Sequence, residues 1–162
     1  MENNKEQKSE NNQNQAKGRK WKVAVILGLS AGVIFGLTFL LFYYLQFINV
    51  GPATYAKVVL NPEYLEKWQG QLIGVGFFII FSVIFSLIYS ALFIKIKSFW
   101  TGIVYGFLLW VLVFVGLNWL FDLTKPVKEL GFDTITATLC LYILFGVFLG
   151  YSLTTEFNNL DR

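Results

Sequence analysis

Few side chains in this sequence are able to do chemistry, and their types exclude more than they suggest. There is no histidine among the 162 residues, which rules out imidazole acid–base catalysis and histidine-ligated metal sites. A nucleophilic thiol needs a neighbouring base or positive charge to form its thiolate. Cys140 is the single cysteine and lies in a charge-free apolar run, so it has no base beside it and forms no intrachain disulfide. Five carboxylates, Glu63, Glu66, Asp122, Glu129 and Asp133, fall in two short polar segments. Two of them could converge as a catalytic acid pair, yet charge in a connecting segment is far more often simply solvated. No Gly-rich phosphate loop is present. No catalytic residue, cofactor site or metal site is expected.

What remains is a set of small side chains at four-residue spacing. They are Gly28, Gly32 and Gly36, then Gly70 and Gly74, continuing through Ser82, Ser86 and Ser90, then Gly102 and Gly106, and finally Gly146 and Gly150. On a helix this spacing puts each set on one face, where the missing side chains let two backbones approach closely. The plain reading is that these rows pack helices of one chain together. The sharper reading is that one row, foremost Gly28/Gly32/Gly36, meets another subunit. Asn118 is the most polar side chain well inside an apolar run, on a row with Gly102, Gly106 and Trp110. It could bond across helices for about 0.6 kcal/mol or touch a ligand. Its place beside Trp119 near a helix end favours the structural role. The Trp110 indole N–H needs a partner in an apolar surrounding.

The elements that position these residues follow from the charge pattern. Hydrophobic residues make up 56% of the chain and charged ones 14%, too few charges to cover a soluble domain. No Asp, Glu, Lys or Arg occurs between Lys22 and Lys57, Lys67 and Lys95, Lys97 and Asp122, or Asp133 and Glu156. Each interval holds about 20 or more largely apolar residues, enough to cross ~30 Å of hydrocarbon as a helix. Four such runs make a buried soluble bundle improbable. The expected fold is therefore all-α: a polytopic four-helix transmembrane bundle occupying residues 21–156, with spans near 23–47, 71–94, 99–121 and 135–153.

Residues 1–20 are rich in Asn, Gln, Lys and Glu and read as a disordered cytoplasmic tail. Residues 157–162 read as a short second tail. The first apolar run is longer than a signal-peptide core and ends without a small-residue cleavage site, so it is expected to be retained. Nine basic residues (Lys5, Lys8, Lys17, Arg19, Lys20, Lys22, Lys95, Lys97, Arg162) fall on one side, against four (Lys57, Lys67, Lys125, Lys128) on the other. The positive-inside rule then places both termini in the cytoplasm. Trp21, Trp68, Trp100 and Trp119 lie near span ends, where indoles favour the interface. Asn61-Pro62-Glu63 reads as the start of a short interfacial helix through Tyr64, Leu65 and Trp68. Asp133 or Thr134 reads as the cap of the fourth span. The short Lys95-Ile96-Lys97-Ser98 connection makes spans two and three antiparallel neighbours.

Taken end to end, the chain resembles the YqhR family, small conserved membrane proteins of Bacillus-type Firmicutes. The resemblance is carried by the polar N-terminal segment, the small-residue first span, the stretch Phe99-Trp100-Thr101-Gly102-Ile103-Val104-Tyr105-Gly106-Phe107-Leu108-Leu109-Trp110, and the closing segment from Leu139 to Ser152. It implies a bacterial plasma membrane and carries over no site residue.

No span contains Asp, Glu, Lys, Arg or His, or a proline, the usual marks of proton-coupled transport and of broken transporter helices. The expected function is non-enzymatic association, as scaffold, accessory subunit or homo-oligomer. The expected partners are the lipid bilayer and either a second copy or another membrane protein. Nucleic acid is excluded by the lack of a large basic surface with interleaved aromatics. The alternatives are an oligomeric channel for an uncharged solute, lined by Ser82, Ser86 and Ser90, and an enzyme acting on lipid with the loop carboxylates.

Overall fold

A computed structural model describes residues 2–57, 60, 68–92, 99–121 and 130–160, all helix and connecting turn with no strand among the described residues. The elements are α1 (Glu2–Tyr44), α2 (Ala53–Ala56), α3 (Trp68–Leu92), α4 (Phe99–Val111), a π-helical segment (Leu112–Leu117), α5 (Asn118–Phe121) and α6 (Phe132–Leu160). The carboxylates Glu63, Glu66, Asp122 and Glu129, the Asn61-Pro62-Glu63 cap and the Lys95–Ser98 connection lie outside the described residues.

Helix α1 is continuous over 43 residues, so the segment expected to be disordered continues the helix instead. Its Glu, Gln, Lys and Ala residues are good helix formers, with no Gly or Pro before Gly18. Adding residues to an existing helix also avoids the unfavourable nucleation step. The C-terminal end comes at Tyr44, short of the expected Phe47, because Gln46 turns left-handed (φ 60°). The Gln46 N–H donates to the Tyr43 carbonyl (3.1 Å) and the Phe47 N–H to the Phe42 carbonyl (3.0 Å). This is a Schellman closure with glutamine where glycine is usual. The Phe42 and Phe47 rings, 5.7 Å apart, supply its apolar contact.

Helix α6 departs from expectation at both ends. It begins at Phe132, with the Ile135 N–H donating to the Gly131 carbonyl (3.2 Å). Asp133 and Thr134 are therefore already inside the helix rather than capping it. At the other end it runs past residue 153 to Leu160, because Phe157 is buried and the Lys20 ammonium sits 5.8 Å from its ring centroid. The boundaries expected at residues 20 and 157 thus fall within α1 and α6.

Among the described residues, three stretches are long and apolar enough to cross a membrane: Gly18–Tyr44, Trp68–Leu92 and Phe132–Asn159. Trp100–Gly116 is a shorter apolar helix. Helix α1 lies against α3 and α4 against α6, with α1 also touching α6. Large aliphatic side chains point outward, among them Ile26, Val33, Leu37 and Leu41 on α1 and Leu72, Ile80, Ile84 and Ile88 on α3. An apolar exterior of this extent is unfavourable in water and suits hydrocarbon. Trp68, Trp100 and Trp119 are exposed close to helix ends and Trp21 is exposed near the start of the apolar stretch of α1, where indoles meet the headgroup layer. The chain is a membrane protein, with small, hydroxyl-bearing and aromatic residues facing in.

Candidate functional site

The small-residue rows lie where helices of the same chain approach most closely. A Cβ on Gly28 would stand 2.8 Å from the Val83 Cα, and one on Gly32 2.8 Å from the Ile79 Cα. One on Gly36 would meet the Phe78 ring at 3.2 Å. This row is therefore covered by α3. The hydroxyls opposite it reach back: Ser82 Oγ donates to the Gly28 carbonyl and Ser86 Oγ to the Ala24 carbonyl, each at 2.7 Å. These bonds satisfy two buried hydroxyls from within the chain.

The second pair uses the same device. A Cβ on Gly102 would lie 2.9 Å from the Gly146 carbonyl oxygen, and one on Gly106 2.3 Å from that of Tyr142. From the other side, Gly146 faces Gly102 and Gly106, while Gly150 faces Gly102 and the Tyr89 hydroxyl. Trp110 completes the row, its Nε1–H donating to Thr138 Oγ1 at 3.0 Å. The Thr138 hydroxyl in turn donates to the Thr134 carbonyl (2.7 Å), so the indole has the partner it needs. Asn118 is half-buried in α5, beyond the π-helical segment. The π-helical segment takes up an extra residue and so rotates everything after it relative to an α-helical count.

The part of the interior not anticipated from the residues is the turn after α1. Residues 50–56 are all buried, although they connect two helices. Gly74 permits this: a Cβ there would lie 2.2 Å from the Pro52 carbonyl carbon. The Gln71 side-chain carbonyl accepts the Ala53 N–H (3.1 Å), and Thr134 Oγ1 accepts the Asn49 N–H (3.1 Å). Backbone outside a helix is tolerated at such depth only when its polar groups are paired within the protein.

Tyr55 is the centre of this plug. Its ring stands 5.2 Å from Phe78, 6.0 Å from Phe39 and 6.1 Å from Phe81, centroid to centroid. Its hydroxyl is hydrogen-bonded to that of Tyr142 on α6. Burial pushes the Tyr55 phenol well above the ordinary tyrosine value, and the bond to Tyr142 pulls the other way. Beneath it a small apolar cavity is lined by Phe35, Phe39, Phe78, Leu141, Tyr142 and Phe145.

Sequence reasoning singles out Trp110 and the glycine rows, names Thr134 only as a cap, and gives no interior role to Tyr55, Gln71, Tyr105, Thr138 and Tyr142. The only signal for Tyr55 was an apolar turn, Gly51-Pro52-Ala53-Thr54-Tyr55-Ala56, in a segment otherwise expected to be solvated. Chemically the interior offers hydroxyl, indole and amide groups bonded to one another (Tyr55–Tyr142, Trp110–Thr138) or to main-chain groups (Ser82, Ser86, Tyr105, Gln71). Among the described residues no three His, Cys, Asp or Glu side chains converge as a metal site. Cys140 is exposed on the outer side of α6.

Against known proteins, residues 3–162 match the profile of the family described as conserved membrane protein YqhR. The chain is 33% identical over 138 residues to the Bacillus subtilis (strain 168) protein called uncharacterized protein YqhR, covering 83% of this chain and 75% of that one. No solved structure matches.

Proposed function

The chain belongs to the YqhR family of conserved membrane proteins, and we propose that it acts in the bacterial plasma membrane by association rather than catalysis, as a scaffold or accessory subunit. The observation that carries this reading is the closed interior. Its small-residue rows are filled by neighbouring helices of the same chain, and Ser82 and Ser86 bond to α1 carbonyls. What the molecule offers to others is then its apolar outer faces and the ends of its helices. The same hydroxyl bonds weigh against a solute path along Ser82, Ser86 and Ser90. A non-enzymatic role is supported by the absence of histidine and by interior hydroxyls that are engaged in structural bonds.

The reading includes four spans with both termini cytoplasmic. In its support, α4, the π-helical segment and α5 follow one another without a gap from Phe99 to Phe121, and a four-span arrangement would gather nine of the thirteen basic residues on one side, as the positive-inside rule requires of the cytoplasmic face.

The test is purification at native expression in native lipid, with mass analysis of what remains bound. A stoichiometric membrane-protein partner, lost when Ile80 and Ile84 or Val33 and Leu37 on an outer face are replaced by Trp, is the expected result. A chain with no bound protein that passes solute in liposomes overturns the association reading in favour of the channel.

A further inference from the structure

Contacts within the molecule are of two kinds. Inside the α1–α3 pair and inside the α4–α6 pair, glycines bring backbone against backbone. The approach is close enough that a Cβ at Gly28, Gly32, Gly102, Gly106 or Gly146 would lie under 3.0 Å from main-chain atoms of the partner helix. Such close packing, with serine or indole bonds across it, makes each pair a stiff hairpin. Between the two pairs the contact is made mainly by side chains. Phe35 meets Phe145 edge-on at 5.5 Å and Phe148 at 5.9 Å, and Phe78 meets Phe145 at 6.1 Å.

The ties across this seam differ at its two ends. Near the connection after α1 they are the Tyr55–Tyr142 hydroxyl pair and the Asn49 N–H to Thr134 Oγ1 bond. Toward the other end, Tyr105 donates to the Phe85 carbonyl (2.6 Å), its ring lies 4.9 Å from Tyr89, and Lys20 sits over Phe157. The small cavity lies in the seam beside Tyr142, with Phe35, Phe39 and Phe78 from one hairpin facing Leu141, Tyr142 and Phe145 from the other. Ring-to-ring contacts around a void lose less on separation than interlocked backbones do.

We infer that the protein is a hinge of two rigid helical hairpins, α1–α3 and α4–α6, pivoting at the Tyr105–Phe85 end and held shut at the opposite end by a latch formed by Tyr55–Tyr142 and Asn49–Thr134. Releasing the latch lets the plug at residues 50–56 move with its own hairpin, to which Gln71 and Gly74 bind it, and opens the aromatic seam. Moving two preformed bodies about one seam is how packed helices switch between discrete arrangements.

The experiment is double electron–electron resonance on full-length protein in lipid nanodiscs, in a Cys140→Ser background. Three spin-label pairs occupy exposed positions: Leu41→Cys with Thr136→Cys across the latch end, Leu41→Cys with Leu72→Cys inside one hairpin, and Ile26→Cys with Tyr151→Cys across the pivot end. The latch is released by Tyr55→Phe with Thr134→Val, which keep ring and volume and remove only the polar atoms. The expected result is that the 41–136 distances lengthen and broaden while the 41–72 and 26–151 distances stay as in the parent. Unchanged 41–136 distances overturn the latch. Broadening of the 41–72 pair shows that the hairpins are not rigid, and an equal shift of the 26–151 pair shows separation without a pivot; either overturns the hinge.

Discussion

At Gly106 a Cβ would sit 2.3 Å from the Tyr142 carbonyl oxygen and 2.7 Å from the Ile143 Cα, whereas at Gly76 it would meet nothing within 4 Å. Both positions are helical, so propensity alone favours alanine at each by about 1 kcal/mol. Packing separates them. Gly106→Ala is expected to destabilise by about 1–3 kcal/mol, the usual range for overpacking a filled interior, and Gly76→Ala to be neutral or slightly stabilising. Unfolding titrations of the two variants in mixed micelles will show whether the difference has this sign. Tyr55 has its own signature. Because burial raises its phenol, the neutral ring's contribution is complete below the ordinary tyrosine value of about 10 and is lost as pH rises through that value toward the raised one. The parent should therefore lose more thermal stability than Tyr55→Phe when pH is taken from 8 to 11.

Among the elements, the turn at residues 50–56 depends on a single amide acceptor from α3. Gln71→Leu keeps the bulk but leaves the buried Ala53 N–H without the Gln71 Oε1 that accepts it. An unpaired buried donor costs about 1–3 kcal/mol. Hydrogen exchange at residues 51–57 should accelerate in that variant while exchange in α1 and α6 stays slow. The third apolar stretch carries a different lesson. Its row of Gly102, Gly106 and Trp110 faces α6 as the spacing requires, but the π-helical segment at Leu112–Leu117 ends the register before Asn118. Deleting Val115, an exposed residue, should restore an α-helical count and turn Asn118 back onto that row. Circular dichroism should then report undiminished helix.

For the whole molecule, the charge asymmetry makes a directional claim. In a Cys140→Ser background, Leu60→Cys in intact cells should react with a membrane-impermeant maleimide. A cysteine appended after Arg162 should react only once the membrane is opened. Labelling of both before opening would mean that the chain crosses an odd number of times and that the apolar stretch Trp100–Gly116 does not span. The hinge between hairpins belongs to this scale too, since neither hairpin alone contains the aromatic seam.

The all-helical, membrane-embedded character was legible in the sequence, because a bilayer demands long uncharged runs and self-satisfied backbone whatever the neighbouring helices do. The same holds for the faces that glycine spacing brings together, since spacing of four defines a face without reference to its partner. Which helix fills which face was not legible. Gly28, Gly32 and Gly36 read first as packing within the chain and second as a surface for another chain, and it is the placement of α3, with Ser82 and Ser86 reaching the α1 carbonyls, that fills the row. The burial of Tyr55 and the extension of α6 beneath Lys20 likewise depend on contacts between residues far apart in the chain. Periodicity reports the local environment of a helix. Pairing across 87 residues, as between Tyr55 and Tyr142, is settled only when the tertiary packing closes around both.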